Sequence, residues 1–307
     1  MKVRTIPHAI PYQGSKRNLA SEILRYFPSA FDTLYEPFAG SAAITIAAAV
    51  TGPGRRFHIN DLNLPLAELW RAIVETPETI ASQYKVLWET QLDDPRGFYD
   101  KIRDEFNETG RPDLFFYLLA RCVKGSIRYN SQGVFNQSPD NRRLGMRPHS
   151  MRAQILAISH ALKGRTVVTA VDYHTVLEMA DTSALVYMDP PYQGVCGNRD
   201  TRYLQSVPFS EFVDALDDLN RRGIRFIVSY DGRTGDKIYG LPLPQDLDLT
   251  LIELHAGRST QATLVGRDDV TVESLYVSAT LTNELTNVPL LYRYTRGEQL
   301  CLMEKRR

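Results

Sequence analysis

Asp189, Pro190, Pro191 and Tyr192 follow directly on the apolar run Ala184–Met188. An amine conjugated into an aromatic ring, such as N6 of adenine, is a poor nucleophile because its lone pair is delocalised. A site that alkylates it needs acceptors for both N–H hydrogens, so that electron density stays on nitrogen as the new bond forms. The Asp189 carboxylate can supply one acceptor, and the Pro190 carbonyl, held by two adjacent prolines, the other. Tyr192 offers a face on which an extruded base can stack. Asp and Pro are also ordinary turn residues, so the tetrad alone reads equally well as a strand ending in a turn. Its place just beyond a strand, where open α/β sheets bind ligands, favours the chemistry.

A second constellation is Tyr35–Ser41, in which Gly40 sits between the small residues Ala39 and Ser41 and a small-residue apolar run, Ala42–Val50, follows. Gly40 lets a ligand approach the backbone, and a turn that opens a helix favours the carboxylate end of a ligand. A single glycine does not make the G-x-G-x-x-G dinucleotide fingerprint. Asp61, after the run Arg56–Asn60, stands where an acid can accept from ribose hydroxyls, although a helix cap or turn is the commoner role for one Asp.

The elements that must hold these residues form an α/β pattern. Thr33–Tyr35 and Arg56–Asn60 read as strands with a buried helix over Ala42–Val50 between them, and Asn18–Phe27 has helical spacing. Further strand-like runs are Thr166–Val171, Ala184–Met188, Phe226–Ser229, Leu249–Leu254 and Ser274–Val277, with a helix at Phe209–Arg221. Between Leu64 and Leu119 long helical patterns take over, broken at Asp93–Gly97 and Gly110–Pro112. The polar stretch Gly125–Pro148 reads as a loop or hairpin.

The 307-residue chain carries 36 basic and 36 acidic residues, so its net charge gives no sign of a polyanionic partner. The distribution does: Leu114–Arg152 holds seven basic residues (Arg121, Lys124, Arg128, Arg142, Arg143, Arg147 and Arg152) against Asp140 alone. A local basic stripe suits phosphate binding, and a solvated helix face balanced elsewhere is the plainer alternative. The N-terminal stretch has no apolar signal core, no run is long enough to span a bilayer, and the three cysteines lack metal-ligand spacing. A reduced, cytoplasmic protein without a membrane segment or a metal is expected, and the six histidines read as structural.

In this order the motifs resemble the Dam-type (D12 class, alpha-group) family of DNA adenine-N6 methyltransferases. Pro11–Lys16 (PYQGSK) resembles its N-terminal cofactor motif, with Ser15 in place of the usual second glycine. Glu36–Ser41 (EPFAGS), Asn60–Asn63 (NDLN), Arg128–Asn136 (RYNSQGVFN) and Asp189–Tyr192 (DPPY) match its other blocks, and Ala256–Tyr276 matches more weakly. The resemblance spans Pro11 to about Ser278. One departure is Gln137–Asp140 (QSPD), where the family often has a Pro-Phe-Gly turn.

The resemblance implies a Rossmann-like, seven-stranded, mostly parallel α/β sheet, with residues 1–63 and 148–307 as the S-adenosylmethionine-binding domain. A helical target-recognition insertion over 64–147 would end in a hairpin. S-Adenosyl-L-methionine is the implied cofactor: Tyr12, Gly14 and Lys16 line its methionine end, and Phe38, Gly40 and Ser41 cradle it. Asp61 holds the ribose, Asp172 accepts from the adenine amino group, and Glu36, Tyr173 and Asp189 complete the set. Asp189, Pro190 and Tyr192 are the expected catalytic residues. Double-stranded DNA is the implied partner. Arg128 and Arg147 are phosphate contacts, Tyr129 wedges beside the extruded base, Asn130 meets a base edge, and Arg142 and Arg143 read guanine or clamp phosphate. Gln132 and Asn136 of the same hairpin join them.

Such a protein acts as a monomer or weak dimer, in a prokaryote or phage, with or without a cognate restriction endonuclease. N4-cytosine methylation is the nearest alternative, but that group more often has serine in the place of Asp189. A catalytically inactive, methyltransferase-like DNA-binding module and an RNA or small-molecule methyltransferase are further alternatives. Carbon-5 cytosine chemistry, which needs a nucleophilic cysteine commonly beside proline, has no candidate among Cys122, Cys196 and Cys301.

Overall fold

The computed structural model describes residues 6–52, 55–191, 207–234, 237–239, 241–258, 270–285 and 292–293. Among the described residues nine strands form one sheet: β1 (Thr33–Glu36), β2 (Arg56–Asn60), β3 (Thr166–Thr169), β4 (Leu185–Met188), β5 (Arg225–Thr234), β6 (Lys237–Tyr239), β7 (Thr250–Arg258), β8 (Val270–Val277) and β9 (Tyr292–Arg293). The order across the sheet is β3-β2-β1-β4-β5-β8-β7-β9, and β6 pairs with β5. The first five strands of that order are parallel, β8 is antiparallel to β5, and β7 is antiparallel to β8. Six of the seven strands from β3 to β7 in this order therefore run one way, which is the mostly parallel seven-stranded sheet expected. The short β6 and β9 extend it at the rim.

The chain winds outward from β1 to β2 and β3, then returns to the other side of β1 for β4 and β5. That reversal leaves a crevice between the carboxyl ends of β1 and β4. Both faces of the central strands β4 and β5 are covered, as crossover helices on both sides require, while the edge strand β3 leaves Val167 exposed. Within β4, Leu185 and Tyr187 enter one apolar core while Val186 and Met188 enter the other, the period of two that a strand imposes. On the second face, α8 (Tyr173–Met179) and α9 (Phe209–Arg221) contribute Tyr173, Leu177, Phe212, Leu216 and Leu219.

The first face carries most of the helices: α2 (Ala43–Thr51), α3 (Leu64–Glu75), α4 (Pro77–Thr90), α5 (Pro95–Thr109), α6 (Pro112–Arg121) and α7 (Pro148–Leu162). A proline opens α4, α5, α6 and α7, at the position where a missing N–H costs least. Gly110, at φ 66°, stops α5. Ile44, Trp70, Tyr84, Phe106, Phe115, Phe135 and Ile155 share one continuous core with the strand residues Leu34, Phe57 and Leu185. The helical segment expected as an insertion thus grows out of the sheet's own core, and α3 is rooted in it by Trp70, whose indole N–H donates to the Gly40 carbonyl at 2.8 Å.

The helix expected over Asn18–Phe27 is only one α-turn, α1 (Ala20–Ile23), between two 3₁₀ turns. No side chain caps its start, and Pro28 forces Phe27 into extended backbone at ψ 143°. A small helix, α10 (Ala279–Glu284), follows β8 and is capped by Ser278. No helix among the described residues is long and apolar enough to cross a membrane.

The polar stretch after α6 forms a hairpin tip in which Tyr129 faces Phe135. The tip closes through Asn130 N–H to the Val134 carbonyl at 2.9 Å and Gly133 N–H to the Asn130 carbonyl at 3.0 Å. At its root, Gly125 lies at φ 61°, and a Cβ there would meet the Pro11 carbonyl carbon at 2.7 Å. The Gly125 carbonyl also accepts from Gln13 N–H at 3.0 Å, so the N-terminal segment and the hairpin are seated on each other. A Gly125→Ala variant is expected to lower the thermal midpoint by a few degrees, since a left-handed alanine costs about 1–2 kcal/mol before the clash is counted. Differential scanning calorimetry reads this directly, and an unchanged midpoint contradicts the seating.

Candidate active site

Three loops meet at the crevice between β1 and β4 and enclose a cavity of about 300 Å³. The first is the turn after β1. Gly40 adopts φ 48° and Ala42 φ 46°, so the chain reverses in two left-handed steps before α2 begins. A Cβ on Gly40 would lie 2.9 Å from the Tyr12 ring, so this position needs glycine for both conformation and space. Ser41 Oγ lies 2.7 Å from Ser15 Oγ, joining this turn to the N-terminal segment.

The second loop follows β2. Asp61 accepts from Gly40 N–H at 3.0 Å and from Asn63 N–H at 2.9 Å, one bond on each oxygen. A carboxylate has about four lone-pair sites, so acceptor capacity for hydroxyls remains. Burial pushes its carboxyl upward, and the two backbone donors oppose the rise. Beside it, Asn60 ties three strand ends together. Its Nδ2 donates to the Pro37 and Val171 carbonyls at 2.9 and 3.0 Å, and its Oδ1 accepts from Val171 N–H at 3.0 Å and Thr169 Oγ1 at 2.7 Å.

The third wall comes from β4 and the N-terminal segment. Asp189 and the buried Pro190 extend β4 into the cavity wall. Lys16, 7% exposed, places Nζ 3.1 Å from Asp189 Oδ1 and 3.5 Å from Glu273 Oε2 on β8. Burial alone would lower the lysine's pKa, but the two carboxylates more than offset it, so the ammonium stays charged. Glu36, buried at the end of β1, accepts from Thr45 N–H at 3.0 Å.

Asp172 caps α8, accepting on Oδ1 from His174 N–H at 2.9 Å, with the His174 ring at 2.8 Å from the same oxygen. Phe38 and Tyr173 face each other with ring centroids 5.1 Å apart. The Tyr173 hydroxyl is buried without a hydrogen-bond partner among the described residues.

The expected cofactor residues Tyr12, Gly14, Lys16, Glu36, Phe38, Gly40, Ser41, Asp61, Asp172, Tyr173 and Asp189 all line this one cavity. Tyr192 lies outside the described residues. Sequence reading missed Ser15, Asn60, Asn63, Trp70 and Glu273. Asn60 and Asn63 stood inside the quoted NDLN block, and the exchange of glycine for Ser15 was the visible trace of the hydroxyl pair with Ser41.

The hairpin residues separate into two groups. Arg128, Gln132, Asn136, Arg142, Arg143 and Arg147 are exposed and outside the cavity wall. Asp140 pairs with Arg142 at 3.0 Å and approaches Arg143 at 3.8 Å. Asn130 uses its side-chain oxygen on its own turn, accepting from Gln132 and Val134 N–H at 2.9 and 3.0 Å.

Tyr129, expected as a wedge into DNA, is instead 8% exposed in the cavity wall, where its hydroxyl donates to Asn63 Oδ1 at 3.2 Å. Packing on Phe135 at 5.8 Å draws it inward. The basic stripe is also shorter than its sequence count. Arg121 is buried against Gln91 and Tyr117, and Arg152 is paired with Glu78 at 2.6 Å.

A family model described as D12 class N6 adenine-specific DNA methyltransferase matches residues 12–256. Among curated proteins, the chain is 29% identical to the Retron Ec67 DNA adenine methylase of Escherichia coli over 191 residues, covering 60% of this chain and 63% of that protein. It is 27% identical to the DNA adenine methylase of Serratia marcescens over 187 residues, covering 60% and 66%. It is 25% identical to the type II methyltransferase M.FokI of Planomicrobium okeanokoites over 238 residues, covering 73% and 35%. The matches thus span less than two thirds of each of these relatives.

Burial pushes the Glu36 carboxyl up to about 8, against the pull of its hydrogen bonds from Thr45. A raised carboxyl favours the protonated form in the fold. The cost of ionising it is therefore absent below the ordinary value of 4.5, grows as pH rises, and is complete above about 8. Glu36→Gln, measured without ligand, is expected to gain stability relative to wild type as pH rises from 5 to 8.5, by a few kcal/mol at most. Parallel pH profiles of the two proteins contradict this.

Proposed function

The chain belongs to the D12 class of N6 adenine-specific DNA methyltransferases, and from that premise we propose that it methylates the N6 amine of adenine in duplex DNA. The observation that carries the proposal is the place of Asp189 and Pro190: beyond the end of β4, in the same cavity wall as the Gly40 turn and Asp61.

S-Adenosyl-L-methionine is the methyl donor in this reading. It supplies a methyl group on a sulfonium, whose C–S bond breaks as the N–C bond to the target amine forms. The cavity suits such a ligand. Its volume falls at the lower end of the range for small-molecule sites. The Gly40 turn brings backbone where a Cβ would collide, and the buried Tyr173 hydroxyl still lacks a partner among the described residues. Tyr12, Gly14, Lys16 and Ser41 would hold the amino-acid end, Asp61 the ribose hydroxyls, and Phe38, Asp172 and Tyr173 the purine.

The chain's own groups handle the amine. Asp189 accepts one N–H and the Pro190 carbonyl the other, which keeps the lone pair on nitrogen. The proton that nitrogen sheds after transfer leaves along the hydrogen bond to Asp189. The target base must leave its duplex to reach this wall. The exposed Arg128, Arg142, Arg143 and Arg147 suit the phosphates around it, with the segment 64–147 as the recognition element. A buried Tyr129 lining the cavity fits a role against the extruded base after it has entered.

Expression in a host without DNA methylation, followed by single-molecule sequencing, tests the function. N6-methyladenine in one fixed short motif is expected. Methylcytosine in its place contradicts the assignment to adenine. For Asp189→Ala, transfer is expected to fall by ~10²-fold or more while donor binding persists. Undiminished turnover in that variant removes the role given to Asp189.

A further inference from the structure

Glu273 lies outside the acceptor pair assigned to the amine, yet it shares a buried charge with one member of it. The Lys16 ammonium faces carboxylates from two strands, Asp189 after β4 at 3.1 Å and Glu273 on β8 at 3.5 Å. A lysine on Asp189 draws charge from that carboxylate and makes it a weaker acceptor for an incoming amine. When the amine arrives, the ammonium needs another partner. At 7% exposure it cannot turn to water without a large rearrangement, and leaving it unpaired in the interior is costly. The Glu273 carboxylate is already within reach, and an ammonium with three rotatable donors can shift toward it by a few tenths of an ångström.

We propose that Glu273 is a positioning residue for methyl transfer, receiving the Lys16 ammonium as Asp189 turns to the target amine. With the site empty of substrate, Lys16 rests nearer Asp189. As the base enters, the lysine passes to Glu273 and frees the acceptor, and it returns on product release. This rests on the assignment of Asp189 as the amine's acceptor. A merely structural Glu273 would affect stability regardless of what stands at position 16, whereas a receiving carboxylate matters only while the lysine is there.

The test is a double-mutant cycle in single-turnover methylation, at saturating S-adenosylmethionine and saturating DNA carrying the target motif. Glu273→Gln is expected to slow transfer by about tenfold or more while the donor's dissociation constant, read by calorimetry, changes little. Glu273→Asp, which keeps the charge, is expected to recover part of the rate. In a Lys16→Met background, Glu273→Gln is expected to have no further effect. A wild-type rate in Glu273→Gln overturns the inference, as does an equal fold-loss in both backgrounds or a Glu273→Asp rate as low as that of Glu273→Gln. Should Glu273→Gln fail to fold, Glu273→Ser, which also removes the charge, takes its place in the cycle with the same readings. Wild-type protein that methylates no DNA contradicts the proposed function itself, and so is told apart from failure of this inference alone.

Discussion

A single buried cation organises the site. Taking an ammonium out of water costs several kcal/mol even after relaxation, and Lys16 is almost wholly enclosed. Carboxylates brought to it from separate parts of the sheet offset that cost, and Asp189, just after β4, and Glu273, on β8, supply them. The N-terminal segment is thereby drawn across the ends of the sheet, where it can close one side of a cavity. Its other attachments follow from that position. Gly40 leaves room for the Tyr12 ring, Ser15 meets Ser41, and Gly125 lets the hairpin root press on Pro11.

The sheet makes this possible by reversing its winding at β1. Parallel strands end together, so the loops after β1, β2 and β4 converge on one crevice. Asn60 ties the ends of β1, β2 and β3 with its side-chain amide, and Trp70 fixes the Gly40 carbonyl from α3. The helical segment that leaves the sheet after β2 shares its core, so the exposed arginines proposed to meet DNA are carried on the same core as the cavity.

Much of this was legible in the residues. The apolar runs around β1, β2, β4 and β5 gave the strands because parallel strands are buried on both faces. The turns after them stood out by residue type, and every position expected to meet a cofactor lines one cavity. What escaped depends on distant partners. Nothing local marks Glu273 as Lys16's companion across 257 positions of sequence, or Arg121 as a buried base satisfied by Gln91 and Tyr117. Tyr129 matched a DNA-facing motif, but Phe135 and Asn63 hold it inward. The helix expected over 18–27 had the right spacing and lacked a cap, and the proline after it left too few residues for stable turns.

The central claim is that one cavity, between the Gly40 turn and Asp189, serves both the methyl donor and the target amine. A crystal structure with S-adenosylhomocysteine bound tests it most directly. The ligand is expected in that cavity, against Gly40, Asp61 and Tyr173, with its amino-acid end toward Lys16 and its sulfur facing Asp189. Ligand bound elsewhere, with this cavity empty, contradicts the account.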